Sequence, residues 1–218
     1  MHVVVPFSAD RPKTRLAGVL SADERRDFSA AMLADVLHAL DGIDRAFDVT
    51  VLATGPVDIE GLRPSGSRTA SDAVDASVVV DDRPLTPAVN DCLDRTPTAV
   101  VMADLALATP TAIANLLDSS ADLAIAAGLG GGTNAFLARD PAFSVDYHGA
   151  SYRDHLEIAR EAGLSVREVD SRKLAVDIDE PADLVEVLLH GDGAATDWLE
   201  DAGFELAVGG GRVEAVRE

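Results

Sequence analysis

The chain has 218 residues, and its 38 acidic side chains against 18 lysines and arginines give a formal net charge of -20. Such a surface repels nucleic-acid phosphates, anionic membranes and itself; only salt screens it, and at about 1 M the Debye length falls to about 3 Å. With 47% hydrophobic residues the chain can bury a core, its single cysteine, Cys92, excludes an internal disulfide, and no apolar run is long enough to span a membrane.

These features predict an ordered enzyme of a salty cytoplasm that binds neither nucleic acid nor membrane. His2 to Phe7, an apolar run interrupted by Pro6, reads as a buried first strand rather than a leader. Ser8 to Leu20 is a loop carrying Arg11, Lys13 and Arg15. Ser21 and Glu24 have capping-box spacing, and the helix they open runs to about Leu40, with Phe28, Met32, Leu33, Val36, Leu37 and Leu40 on one face. Phe47 to Ala53 is a second strand, and Gly55 to Gly66 a turn with a short helix. Ala76 to Val80 is a strand, Pro87 to Leu93 a helix that includes Cys92, and Ala99 to Ala103 a buried strand ending at Asp104. Thr109-Pro110 opens a helix to about Leu117, with proline where its missing N–H matters least.

Leu123 to Ala127 is the next strand, followed by a glycine-rich loop, Gly128 to Thr133. Ser151 caps a helix containing Leu156, Ile158, Ala159 and Ala162. Val166 to Val169 and Leu174 to Ile178 are strands, and Pro181 opens a helix reaching Leu189. Residues 1–190 therefore read as one domain. Residues 191–218 read as a tail, a short helix near Trp198 and a hairpin across Gly209, Gly210 and Gly211, packed on that domain or at a dimer contact. Strands alternating with helices predict an α/β fold, a mostly parallel sheet with helices on both faces and ligands at the carboxyl ends of its strands.

Three positions carry candidate chemistry. Arg11, Lys13 and Arg15 concentrate positive charge in a chain that has only one other lysine, Lys173. A phosphate clamp is one reading, a solvated loop paired to nearby acids the other; the glycine framework of a P-loop is absent. Asp104 at a strand end would suit Mg²⁺ or would serve as a turn acid. Asp177 and Asp179 flank Ile178, so in extended chain both carboxylates face one way. They repel unless a cation lies between them, though Asp179 would also serve as a helix cap. The glycine run offers backbone N–H groups to an anion, and Ser151 a hydroxyl at a helix start. His148 and His155 read as surface histidines.

Taken in order, Pro6-Phe7, Lys13-Thr14-Arg15-Leu16, Met102-Ala103-Asp104-Leu105, Gly131-Gly132-Thr133-Asn134, Ser151-Tyr152 with His155-Leu156, and Asp177-Ile178-Asp179 with Pro181 resemble archaeal 2-phospho-L-lactate guanylyltransferases of the haloarchaeal type. The resemblance runs to about Leu189 and implies a single Rossmann-like nucleotidyltransferase domain making a precursor of coenzyme F-420. It implies metal, Mg²⁺ or Mn²⁺, on Asp104, Asp177 and Asp179, with catalysis by these and by Lys13 and Arg15. Nucleotide binding would fall to Pro6, Arg11, Lys13, Arg15 and Thr86. The acceptor would be held by Gly132, Thr133, Asn134 and Ser151. The partners implied are GTP and a small phosphorylated hydroxy acid, in a homodimer. The chain departs from the family pattern at Ser8, Ala106 and Thr86, where many members have lysine, proline and asparagine. Two alternatives remain open: a relative that uses phosphoenolpyruvate, 3-phosphoglycerate or a sugar phosphate, and a non-catalytic nucleotide-binding protein.

Overall fold

Strands without polar alternation need cover on both faces, and the chain supplies it. The computed structural model describes residues 1–62, 76–209 and 211–217. Its strands are β1 His2–Phe7, β2 Asp48–Ala53, β3 Ala76–Val80, β4 Thr98–Val101, β5 Leu123–Ala127, β6 Thr133–Ala138 and β7 Val166–Glu168. They form one sheet in the order β3-β2-β1-β4-β6-β5-β7, parallel except that β6 runs antiparallel to both neighbours. Pairing of β1 with β4 stops at Val4, so Pro6 lies beyond the end of that ladder.

The helices are α1 Ala22–Asp41, α2 Leu85–Leu93, α3 Pro110–Leu117, α4 Ser151–Glu161, α5 Arg172–Ala175, α6 Leu184–His190 and α7 Ala194–Asp201. Alternate strand residues face opposite ways. Val3 and Val5 join Leu33, Val36 and Leu40 of α1 and Ile113 and Leu117 of α3. Val4 and Val100 join Val89 and Leu93 of α2 and Ala159 of α4. A third cluster packs Phe28 and Met32 of α1 against Ile178, Val187 and Leu199. The third cluster gives α1 a second buried side, on which Phe28 meets Trp198 with ring centroids 5.2 Å apart. The chain ends in a hairpin of β8 Phe204–Gly209 and β9 Arg212–Arg217. Among the described residues, no helix is long and apolar enough to cross a membrane.

The Ser21–Glu24 capping box and the Thr109-Pro110 start form as expected. Four expectations need correction. The glycine run is the β5–β6 hairpin turn, closed by the Gly128 N–H donating to the Gly132 carbonyl at 2.8 Å, and Thr133, expected as the end of that loop, is the first residue of β6, a strand the sequence reading did not assign. Gly131 sits at φ 84°, and a Cβ at residue 128 would lie 2.5 Å from Asn134 Oδ1. Leu174 to Ile178 is α5 followed by irregular chain: its buried Leu174, Val176 and Ile178 keep the two-residue period, but the Ile178 N–H donates to the Asp104 carbonyl rather than to a ladder. Ser151 is the first residue of α4, and Ala150 holds the cap position. Finally, Gly55 to Leu62 forms bends and turns without helix, and the remainder of that expected segment, residues 63–66, lies outside the described residues.

The tail is anchored by a buried acid. Asp35 of α1 is 9% exposed and accepts the N–H groups of Ala194 and Ala195 at 2.6 and 2.9 Å, closing the start of α7. Burial pushes its carboxyl up to about 6 despite these bonds. A raised carboxyl favours the fold most when protonated, so this contribution is complete below about pH 4 and is lost as pH rises through about 6. Thermal unfolding in multimolar KCl should show the wild type losing stability relative to Asp35→Asn between those values. Parallel pH curves for the two proteins would refute the assignment.

Candidate active site

The chain leaves β1 at Phe7, loops out, and returns in a 3-10 turn, Thr14–Gly18. Lys13 begins that turn in the left-handed region at φ 50°, a conformation worth about 1–2 kcal/mol of strain for a residue with a Cβ. The turn aims the ammonium inward: Nζ donates to Asp104 Oδ2 at 2.6 Å and to Asp179 Oδ1 at 2.8 Å, with the side chain 10% exposed. Burial works to lower the Lys13 ammonium, but the two carboxylates outweigh it and hold it above its ordinary value. Arg15 reaches Asp179 Oδ2 at 3.2 Å from the solvent side.

Each acid has a separate support. Asp104 follows β4; its Oδ1 is buried and has no partner among the described residues. Asp177 Oδ1 accepts from Asn134 Nδ2 at 3.1 Å. Burial, with the negative charge of Asp104 and Asp179, pushes the Asp177 carboxyl up against that bond. Asp179 does not serve as a cap through its side chain. Glu180 and Asp183 form the reciprocal cap of the 3-10 turn Pro181–Asp183 that leads into α6, and Asp183 also accepts the Asp179 N–H at 2.9 Å. The Asp179 carboxylate is thereby left to face Lys13.

The sequence asked for a cation among these acids, and the cation in place is Lys13. Among the described residues, no three acidic, histidine or cysteine side chains converge into a ready cage. The donor set nevertheless suits a hard divalent ion: oxygen only, with one buried carboxylate oxygen lacking a partner and two further carboxylates beside it. A cavity of about 270 Å³ opens over the group, lined by Pro6, Pro12, Lys13, Arg15, Asp104 and Asp179. Ser29 and Met32 of α1 complete its wall. Sequence reasoning passed over Ser29, a buried hydroxyl without a partner among the described residues, on a helix face read only as apolar.

The other expected residues divide. Arg11 is exposed, makes no bond to a described residue and does not line this cavity, so of the three loop cations only Lys13 and Arg15 face it. The Thr86 hydroxyl accepts the Tyr147 N–H at 2.9 Å, while its neighbours Arg83 and Leu85 line a second cavity beside the first. Asn134 uses its amide N–H groups on Leu174 O, Ala175 O and Asp177, and so braces the acid-bearing segment rather than facing a ligand. The Tyr152 N–H donates to Gly131 O at 3.2 Å, which sets the start of α4, with Ser151, against the turn holding Gly132 and Thr133.

His155 is not a surface residue. It is fully buried, edge-on to Tyr147 and Phe143. Its Nε2 accepts the Asp146 N–H at 2.9 Å, so the ring proton is on Nδ1, which donates to Thr133 Oγ1 at 2.8 Å. Thr133's own proton then remains to be donated elsewhere. The helical i, i+4 spacing from Ser151, which places both on one face of α4, was the available signal. Burial lowers His155 to about 4, so in the window from about 6.5 down to about 4 the unfolded chain binds the proton first and stability falls with pH. Nitrogen-15 NMR should find His155 as the neutral Nδ1–H tautomer throughout pH 5 to 8; protonation near pH 6.5 would contradict this packing.

Comparison with known proteins gives a consistent picture. The sequence profile described as guanylyl transferase CofC-like matches residues 1–215. The chain is 56% identical over 219 residues to the 2-phospho-L-lactate guanylyltransferase of Halomicrobium mukohataei, with all of both chains covered. It is 56% identical over 221 residues to the protein of that name from Haloferax volcanii, covering 100% of this chain and 99% of the other. A crystal structure from Desulfovibrio desulfuricans, described as a nucleotide-diphospho-sugar transferase, superposes with a TM-score of 0.70 at 16% identity, covering 92% and 94% of the two chains. The synthetase for CMP-2-keto-3-deoxy-manno-octonic acid, solved with CTP, superposes at 0.52 with 14% identity, covering 85% and 95%. These two likenesses concern the fold alone.

Proposed function

Because the chain belongs to the CofC-like guanylyl transferase family, we propose that it transfers GMP from GTP to 2-phospho-L-lactate, giving lactyl-2-diphospho-5′-guanosine and pyrophosphate. The observation that carries the mechanism is the Lys13 ammonium held against Asp104 and Asp179 on the wall of the carboxyl-edge cavity.

A phosphate oxygen of the acceptor attacks the α-phosphorus of GTP in line. The bond from the α-phosphorus to its bridging oxygen breaks, and pyrophosphate leaves with that electron pair. The attacking phosphate is already ionised, so no general base is required. Lys13 has three N–H groups, two of them on carboxylates, and the third is available to a phosphate oxygen. Arg15, 65% exposed, adds donors for the leaving pyrophosphate. Asp104, Asp177 and Asp179 are the residues that would hold Mg²⁺ or Mn²⁺, which neutralises phosphate charge and acts as a Lewis acid when bound. Thr133 and Ser151 would receive the acceptor. The homodimer expected from the sequence stays part of the proposal, to be read by sedimentation.

Pyrophosphate release from GTP in multimolar KCl with Mg²⁺ should require 2-phospholactate and be weaker with phosphoenolpyruvate or 3-phosphoglycerate. Release that ignores the acceptor, or GTP binding without any release, would count against the reaction. Asp104→Ala should abolish turnover while circular dichroism still reports a folded protein. Lys13→Ala should lower kcat by about 10²–10³-fold, the range for one preorganised charge-stabilising donor; a rate within about threefold of wild type would remove Lys13 from the mechanism.

A further inference from the structure

Four strands deliver their next residue to one place. Ser8 follows β1, Thr54 follows β2, Asp81 follows β3 and Met102 follows β4, and all four line a second cavity of about 250 Å³. This cavity shares Pro6, Phe7, Ser8, Met102 and Asp104 with the cavity over Lys13, so one ligand can occupy both. Pro6, Leu52, Leu85 and Ala88 give it apolar walls, and Asp81 and Arg83, with the shared Asp104, supply its charged groups.

The charged pair is tightly built. The Asp81 N–H donates to the Ala53 carbonyl at 2.9 Å and continues the sheet ladder by one residue. Arg83 donates to Asp81 from its backbone N–H and from Nε at 3.0 Å, and from Nη2 at 2.6 Å. Asp91 holds Nη2 from the other side at 2.7 Å, while Nη1 makes no bond to a described residue. The guanidinium keeps the Asp81 carboxyl below its usual range, so at neutral pH it only accepts. A carboxylate and a guanidinium, each held by the other, thus line one apolar slot, with Nη1 the guanidinium nitrogen that no described residue engages. A 6-oxopurine offers the complement, an N1–H donor beside the O6 acceptor, and guanine adds a 2-amino donor on the carboxylate side. Adenine and cytosine put an amine where the guanidinium would meet a carbonyl.

We infer that the second cavity is the base subsite and that Asp81 and Arg83 read the 6-oxopurine edge of the nucleotide; this rests on the reading of the chain as a nucleotidyltransferase. Asp81 accepts from N1–H and Arg83 donates to O6. The phosphates run past Pro6 and Met102 toward Lys13. Neither residue was singled out by motif, and the hydroxyl of Thr86, a nucleotide-binding candidate from the sequence, accepts the Tyr147 N–H.

Equilibrium binding without acceptor, in multimolar KCl with Mg²⁺, tests this with GTP, ITP, XTP, ATP and CTP. The wild type should bind GTP best, ITP within about tenfold, and ATP and CTP at least about tenfold more weakly than GTP, because a mismatched edge sets an amine against the guanidinium and leaves the carboxylate without its N–H donor. Asp81→Asn should weaken GTP by at least about tenfold and strengthen XTP by a similar factor, since a carboxamide N–H can meet the 2-oxo group that a carboxylate repels. A purely structural Asp81 would lower all five together, and that result would overturn the inference, as would unchanged selectivity. Arg83→Gln, at a side chain 48% exposed, should lose GTP and ITP selectively, and it decides the matter if Asp81→Asn fails to fold. A wild type that binds GTP but whose variants keep its selectivity sinks the base subsite alone; a wild type that binds no nucleotide sinks the transferase reading with it.

Discussion

One ammonium ties the site together. Lys13 bonds to Asp104 and Asp179, partners separated from it by 91 and 166 residues. It thereby joins the first loop, the end of β4 and the segment before α6. Like charges held this close in a partly buried place repel strongly unless a cation stands among them. Lys13 meets that requirement, at the expense of left-handed backbone at its own position.

The surrounding structure makes the arrangement possible. Asn134 uses its side-chain N–H groups on the chain from Leu174 to Asp177, and its carbonyl accepts the Met102 N–H at 3.0 Å. It therefore sets Asp177 relative to the end of β4. Asp183 and Glu180 supply the capping bonds that would otherwise have engaged Asp179. A third cluster, with Ile178 fully buried among Phe28, Val187 and Leu199, fixes the depth of the acid pair. The tail belongs to this support: Asp35 holds the start of α7, and Arg217 of β9 reaches Glu24 Oε1 at 2.6 Å at the start of α1.

The charge of -20 takes on a different meaning beside this site. Much of the positive charge is already committed: Arg83 to Asp81 and Asp91, Arg172 to Glu186, Arg45 to Asp118. The positive groups on the wall of the first cavity are Lys13 and Arg15. Lys13 and Arg15 are themselves paired to Asp104, Asp179 and Glu180, so they orient an approaching polyanion rather than supply uncompensated attraction, and their effect depends on salt.

The sequence by itself determined what local patterning and motif order can carry. Unbroken apolar runs marked β1, β2, β4 and β5, the Ser21–Glu24 and Thr109-Pro110 signals marked the starts of α1 and α3, and the ordered motifs marked the family. They also marked Lys13, Asp104, Asp177 and Asp179 as a group. Tertiary structure alone decided what each polar atom faces. It put Lys13 where a metal was expected, turned Asn134 inward as a brace, buried His155 against Thr133, and opened a cavity at Asp81 and Arg83 that no motif announced. The physical reason is range. Periodicity and caps are fixed by neighbours within one helical turn or two strand residues. A buried hydrogen bond or ion pair is fixed by groups a hundred residues away, brought to the same sheet edge only when the strands have taken their order.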